Sequence, residues 1–410
     1  MSKNLYVQTR REFIKQGAVG AAGLAFWPLP GGGAARQESA VHHPGSENVI
    51  YRTLGRTGIK IPILSFGAPR DPLLIHRAIE AGVMYFDTAY RYGGGSSERL
   101  IGEALKGRPR ESYIAATKIM GYRDNRTGLV PAGVAPADYK AGFRKNVESS
   151  LRRLNVEYLD ILYLHGVENL GLLATPFIKE IMLELRDEGK VRSLGVSFHH
   201  KELELIPAAI KEKIYDVILT SHNFRQPHRL EVRGAIAAAA RAGLGIIAMK
   251  TTAGAYWDRE RKHPINVKAA LKWLFQDENV HSTIPGAQTV EEVDLDLAAM
   301  ADPVLTPQEE EDLRYGEQNK LAGLYCAQCG ACQSQCRNSL PIPTIMRSYM
   351  YAYGYQDIRL AKDVLRGLEE DEIRCRSCAP CAVSCTMGFD VPERIRDVTR
   401  LLAAAQKLSV

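Results

Sequence analysis

After Tyr51 the chain alternates between two hydrophobic spacings. Short apolar runs of strand type fall at 63–67, 83–87, 112–118, 158–165, 191–197, 216–222, 244–250 and 280–285. Stretches with the three-to-four-residue spacing of amphipathic helices follow near 72–82, 96–107, 136–154, 175–189, 201–213, 230–242, 266–277 and 290–301. Strands separated by helices predict parallel pairing through crossover helices. Eight such units in about 250 residues predict an α/β fold of the (β/α)8 TIM-barrel type. A doubly wound open sheet is the alternative. Against it, no Gly-x-Gly-x-x-Gly fingerprint follows the first strand. The Gly93-Gly94-Gly95 run lacks the Lys-Ser/Thr ending of a phosphate loop. Residues 51–62 read as a hairpin capping the barrel's N-terminal end.

Beyond the barrel pattern, which spans 49–305, lies a second region, 306–410, with all 8 cysteines. They form two runs of spacing Cys-x2-Cys-x2-Cys-x3-Cys: Cys326, Cys329, Cys332, Cys336 and Cys375, Cys378, Cys381, Cys385. The runs repeat at an offset of 49 residues, and Pro343 and Pro392 each stand seven residues after the fourth cysteine. A disulfide framework would scatter its cysteines, and structural zinc uses pairs set a dozen or more residues apart. This spacing resembles a two-cluster ferredoxin, in which three thiolates of one run and the fourth of the other hold each [4Fe–4S] cube. One cluster then takes Cys326, Cys329, Cys332 and Cys385, and the other takes Cys375, Cys378, Cys381 and Cys336. Ferredoxin runs usually place Pro directly after the fourth Cys, where Arg337 and Thr386 stand here. Residues 344–367 look helical, so the domain resembles a mostly α-helical ferredoxin.

Composition narrows the function classes. Apolar residues make up 45% and charged residues 24%, ordinary for a globular protein. Of the +6 formal charge, +3 lies in residues 1–35, which leaves a poor footprint for nucleic acid. Thr9-Arg10-Arg11-Glu12-Phe13-Ile14-Lys15, then Gly17 to Trp27, resembles a twin-arginine (Tat) signal. The expectation is a signal peptide over 1–35, a linker over 36–48 and a periplasmic or otherwise extracytoplasmic protein exported already folded. No transmembrane span is expected after signal removal.

In TIM barrels the chemistry sits at the C-terminal ends of the strands. Three adjacent strands would deliver Asp87, Tyr92, Lys118 and His165 there. Phe86-Asp87-Thr88-Ala89 with Tyr92-Gly93 and Ser97-Glu98, then Lys118 and His165, resembles the aldo/keto reductase family over about residues 50–305. The resemblance implies a catalytic tetrad. Tyr92 would be the proton donor, Lys118 would lower its pKa, Asp87 would hold Lys118, and His165 would orient the carbonyl oxygen.

The same resemblance implies a nicotinamide site. Ser197 matches a carboxamide-binding position, although Phe198 replaces the usual Asn. Met249 and Lys250 stand where the family has a stacking aromatic and Ser. Gly286, Ala287 and Gln288 match the pyrophosphate-binding turn. From Ile284 to Leu313 there is no Lys or Arg, so NADPH and NADH are both open. The expected function is an exported NAD(P)H-dependent oxidoreductase for a small carbonyl or alcohol substrate, with two [4Fe–4S] clusters and a redox partner protein. The alternative is an iron–sulfur electron-transfer or partner-binding protein whose barrel has lost carbonyl reduction.

Overall fold

The computed structural model describes residues 49–124, 127–365, 368, 373, 375, 378 and 380–407. The signal-like segment 1–35 and the linker 36–48 lie outside the described residues. The first elements are an antiparallel pair, β1 (Tyr51–Thr53) and β2 (Lys60–Pro62). Leu54 and Ile61 are fully buried and plug the lower end of the barrel. Arg56 ties the hairpin there, its N–H donating to Gly243 O at 2.7 Å.

Eight parallel strands follow: β3 (Phe66–Gly67), β4 (Phe86–Asp87), β5 (Ala116–Ile119), β6 (Leu159–Leu164), β7 (Val191–Phe198), β8 (Val217–Ser221), β9 (Gly245–Met249) and β10 (Ser282–Thr283). β5 to β10 pair in chain order, and β3 pairs with β4. Parallel bridges Tyr85–Ile114 and Leu64–Thr283 close the ring. The helices between them are α1 (Pro72–Glu80), α2 (Ser96–Ala104), α3 (Pro136–Leu154), α4 (Leu170–Ala174), α5 (Pro176–Asp187), α6 (Glu202–Glu212), α7 (Arg229–Arg241), α8 (Val267–Phe275) and α9 (Val290–Ala301). Local chemistry sets several starts. The Asp71, Asn169, Asn266 and Thr289 side chains accept N–H bonds at the N-termini of α1, α4, α8 and α9. Alternation then sorts the strand residues. Ile161, Tyr163, Val217, Leu219, Ile247 and Met249 fill the interior, while Leu162, Leu164, Ile218 and Ile246 meet the helices.

The C-terminal region is helical: α10 (Pro307–Gln318), α11 (Ala331–Gln335), α12 (Ile342–Tyr349), α13 (Ile358–Leu365) and α14 (Val391–Lys407). A π-helical turn, Met350–Gly354, continues α12. α10 opens on a capping box between Thr306 and Glu309. A second apolar core joins Leu324, Ile345, Met346, Met350 and Val398 of this region to Phe224, Trp257, Ile265 and Ala269 of the barrel. Barrel and C-terminal region are accordingly one compact unit. The seam is tight. A Cβ on Gly354 would sit 2.4 Å from Gly254 O, so only glycine fits. No helix of the described residues is long and apolar enough to cross a membrane.

Candidate active site

The tetrad comes from three neighbouring strand ends. Asp87 is the last residue of β4, Lys118 is the third of β5, and His165 follows β6. Tyr92 reaches back because Gly93 and Gly94 turn the chain at φ 56° and 64°. Thr117, one residue before Lys118, points to the other face and donates to Glu98 at 2.6 Å. That leaves Lys118 facing the interior, where it is 2% exposed.

The Lys118 ammonium donates to the Asp87 carboxylate and, at 2.8 Å, to Thr88 O. It lies 5.1 Å from the Tyr92 ring centroid. The Tyr92 ring meets His165 edge-on, with centroids 5.9 Å apart. Tyr85 backs the site, donating to Asp87 at 3.4 Å. Burial lowers the Lys118 pKa, and Asp87 opposes that shift. Burial, then the charges of Lys118, Arg123, Arg347 and Arg91, hold His165 well below its ordinary pKa, so the imidazole is neutral. Its Nδ1 is buried without a hydrogen-bond partner.

Burial outweighs the pull expected from Lys118 on the phenol. It pushes the Tyr92 pKa well above its ordinary value, Asp87, Tyr351 and Asp363 add to the rise, and Arg347 opposes it. The cause is a roof that the sequence did not reveal. Arg347, Tyr351 and Asp363 of the C-terminal region line the same cleft as Tyr92, His165, His199, Arg91 and Arg123. The Gly93 N–H donates to Asp363 at 2.8 Å. The one local signal for this roof is the tyrosine run Tyr349, Tyr351, Tyr353, Tyr355.

The six expected nucleotide residues lie at or just beyond the C-terminal ends of β7, β9 and β10. Ser197 Oγ accepts the Gly166 N–H at 2.7 Å, beneath the cleft. Met249 packs inside the barrel. The Lys250 ammonium donates to Tyr351 and lies 4.3 Å from its ring centroid. Burial, then Arg347, brings the Lys250 pKa to about 7. Gly286 and Gln288 are exposed and Ala287 is buried. The Gln288 N–H donates to Glu292 of the following helix, α9, at 2.6 Å.

The cysteines surround two cavities. Cys326, Cys329, Cys332 and Cys385 line one, together with Ile342, Met346 and Val391. Cys336, Cys375, Cys378 and Cys381 line the other. Backbone N–H groups of Gln328 and Met387 donate to the sulfurs of Cys326 and Cys385 at 3.3 and 3.4 Å. Burial, then neighbouring sulfurs, raises the Cys326 thiol to about 12 and the Cys332 thiol to about 11. Among the described residues, no three His, Cys, Asp or Glu side chains close around a single metal ion.

Residues 72–269 match the Aldo/keto reductase family. That match runs from α1 into α8 of the barrel. The chain is similar to L-galactose dehydrogenase of Arabidopsis thaliana, 33% identical over 168 residues, 36% of this chain and 48% of that protein. Similarity extends to 6-dehydroglucose reductase of Novosphingobium aromaticivorans, 33% identical over 172 residues, 37% of this chain and 52% of that one. The chain spans about half the length of these curated relatives. An aldo-keto reductase from Bacillus halodurans shares the fold of the barrel. That match has a TM-score of 0.51 at 24% identity and covers 65% of this chain and 96% of that one.

Proposed function

We propose that the protein is an exported oxidoreductase that interconverts a small carbonyl compound and its alcohol with NADPH or NADH. Two [4Fe–4S] clusters link it to a redox partner protein. The carrying observation is the buried Lys118–Asp87 pair set against Tyr92 and His165 at the mouth of an aldo/keto reductase barrel. The names of the relatives point to a polyhydroxylated carbonyl substrate.

The nicotinamide, when bound, supplies or accepts the hydride at the carbonyl carbon. This chain's residues handle the oxygen. Neutral His165 orients it, and the Tyr92 O–H gives it a proton as it becomes an alkoxide. An alkoxide is a far stronger base than a phenolate, so a phenol of raised pKa still protonates it. The ammonium of Lys118, fixed by Asp87, stabilises the phenolate left behind. Arg347 and Tyr351 of the C-terminal region line the cleft in which this exchange takes place.

The all-thiol donor sets and the N–H groups aimed at sulfur fit [4Fe–4S] clusters. Cys326, Cys329, Cys332 and Cys385 would hold one cluster, and Cys336, Cys375, Cys378 and Cys381 the other. Each would supply one-electron transfer. Insertion before export fits the twin-arginine segment around Arg10 and Arg11.

A second reading, an electron-transfer barrel without nicotinamide turnover, is favoured by Tyr351 on Lys250 and by Glu292 on the Gln288 N–H. Anaerobic purification, iron analysis and nucleotide titration separate the two. The first reading expects about eight irons per chain, saturable NADH or NADPH binding and steady-state aldose reduction. Iron without nucleotide binding selects the second reading. Zinc without iron removes the clusters.

A further inference from the structure

We propose that the cleft takes a carbonyl compound that also carries a carboxylate, and that Arg347 binds this carboxylate. The inference rests on the carbonyl reading above and names its substrate class. Arg347 reaches the cleft from α12, more than 250 residues after Tyr92 in the chain. It is 9% exposed, and its hydrogen bond goes to a neutral group, Gln328 Oε1, at 3.2 Å. A buried guanidinium ordinarily has a carboxylate partner, because desolvating an unpaired charge is costly. Among the described residues, no ion pair includes Arg347, Arg91 or Arg123, though all three line the cleft beside Tyr92 and His165. Arg91 Nη1 donates to Met120 Sδ at 3.3 Å, and Arg123 Nη1 donates to Gly166 O.

The acids of the same cleft are differently engaged. Asp124 accepts from Thr127 N–H and Oγ at 2.8 and 2.9 Å, and Asp363 accepts from Gly93 N–H. Glu168 faces Arg123 and His200. The three guanidiniums and three carboxylates of the lining balance, so the cleft holds no surplus positive charge for a doubly charged phosphate. It is the setting of Arg347 itself that favours a carboxylate. The charge of Arg347 acts on Tyr92, His165 and His199 alike, so an anion held on it sits among the groups that handle the carbonyl oxygen. A planar guanidinium fork matches a carboxylate, and charge-assisted bonds of this kind discriminate strongly.

The test compares D-glucuronate with D-glucose on the full chain, by calorimetric titration and by steady-state reduction. Wild type should bind D-glucuronate at least about 10-fold more tightly than D-glucose. Arg347→Gln should weaken D-glucuronate roughly 10- to 100-fold more than it weakens D-glucose, with that excess loss in KM more than in kcat. Arg347→Lys keeps the charge but not the fork and should fall between. Should Arg347→Gln not fold, Arg347→Lys carries the test: an unchanged preference for D-glucuronate overturns the proposal. Equal wild-type affinity for the two sugars, or equal weakening of both in a variant, also overturns it. Arg347-dependent D-glucuronate binding without any turnover would sink the carbonyl reading and leave this one standing. Turnover of both sugars without preference would do the reverse.

Discussion

The barrel and the cysteine-rich region differ in what makes them fold. The barrel buries its own core: fully buried Leu, Ile and Val side chains line both sides of a closed ring of strands. The C-terminal region has short helices around two sulfur-lined cavities, and its apolar core is completed by Trp257 and Phe224 of the barrel. One region is specified by hydrophobic periodicity. The other is marked by cysteine spacing and completed by a neighbour. The candidate cleft lies where they meet, so its lining belongs to neither alone.

On the proposed cluster reading, removing iron should break this comparison open most widely. Ligand binding and folding are coupled where a site has no core of its own, and for structural metal in small domains the coupling is about 10 kcal/mol or more. Anaerobic chelation should therefore loosen α11 to α14, read by loss of hydrogen-exchange protection, while β5 to β9 stay protected. Equal loss in both regions would show that the barrel depends on the clusters. Cys336→Ala sharpens the point. It should disturb the EPR signal of the cluster held by Cys375, Cys378 and Cys381, and a change confined to the signal marked by Cys329→Ser would refute that wiring.

Tyr92→Phe should come next, with a loss of roughly 10²- to 10⁴-fold in carbonyl reduction and nearly unchanged substrate affinity. Near-normal turnover would mean another group donates the proton. At the seam, Gly354→Ala should cost about 1–3 kcal/mol, because the new Cβ meets backbone at Gly254 and cannot be relieved by a rotamer change. Denaturant unfolding would measure it, and an unchanged midpoint would place the seam elsewhere.

The parts legible in the sequence are those governed by local pattern. β6, β8 and β9 announce themselves as apolar runs, and Asp87, Lys118 and His165 follow from their strand ends. β3, β4 and β10 are only two residues long, because barrel curvature reduces their neighbours to single bridges. Arg347 and Tyr351 were not legible as site residues, since no local spacing links them to Tyr92. The direction of the Tyr92 shift was lost with them. It depends on burial by a remote region, whereas the sequence offered only the nearby charge of Lys118. The setting of Lys250 was not legible for the same reason, as its ammonium donates to Tyr351 of the remote region.

That displaced shift yields the finest prediction. Burial and Tyr351 hold the Tyr92 phenol neutral past its ordinary pKa near 10. Reduction needs the protonated phenol, so its rate should stay flat across neutral and moderately alkaline pH. Alcohol oxidation needs the phenolate. It should rise up to about tenfold per pH unit, about 1.4 kcal/mol per unit, without levelling by pH 10. Tyr351→Ala removes part of the cover and one of the groups that raise the pKa. The phenolate then forms at lower pH, so the oxidation profile should bend at lower pH while the reduction profile falls earlier. A barrel that set this pKa by itself would give superimposable profiles for the two proteins. A displaced bend would show that a tyrosine from the cysteine-rich region tunes a tyrosine of the barrel.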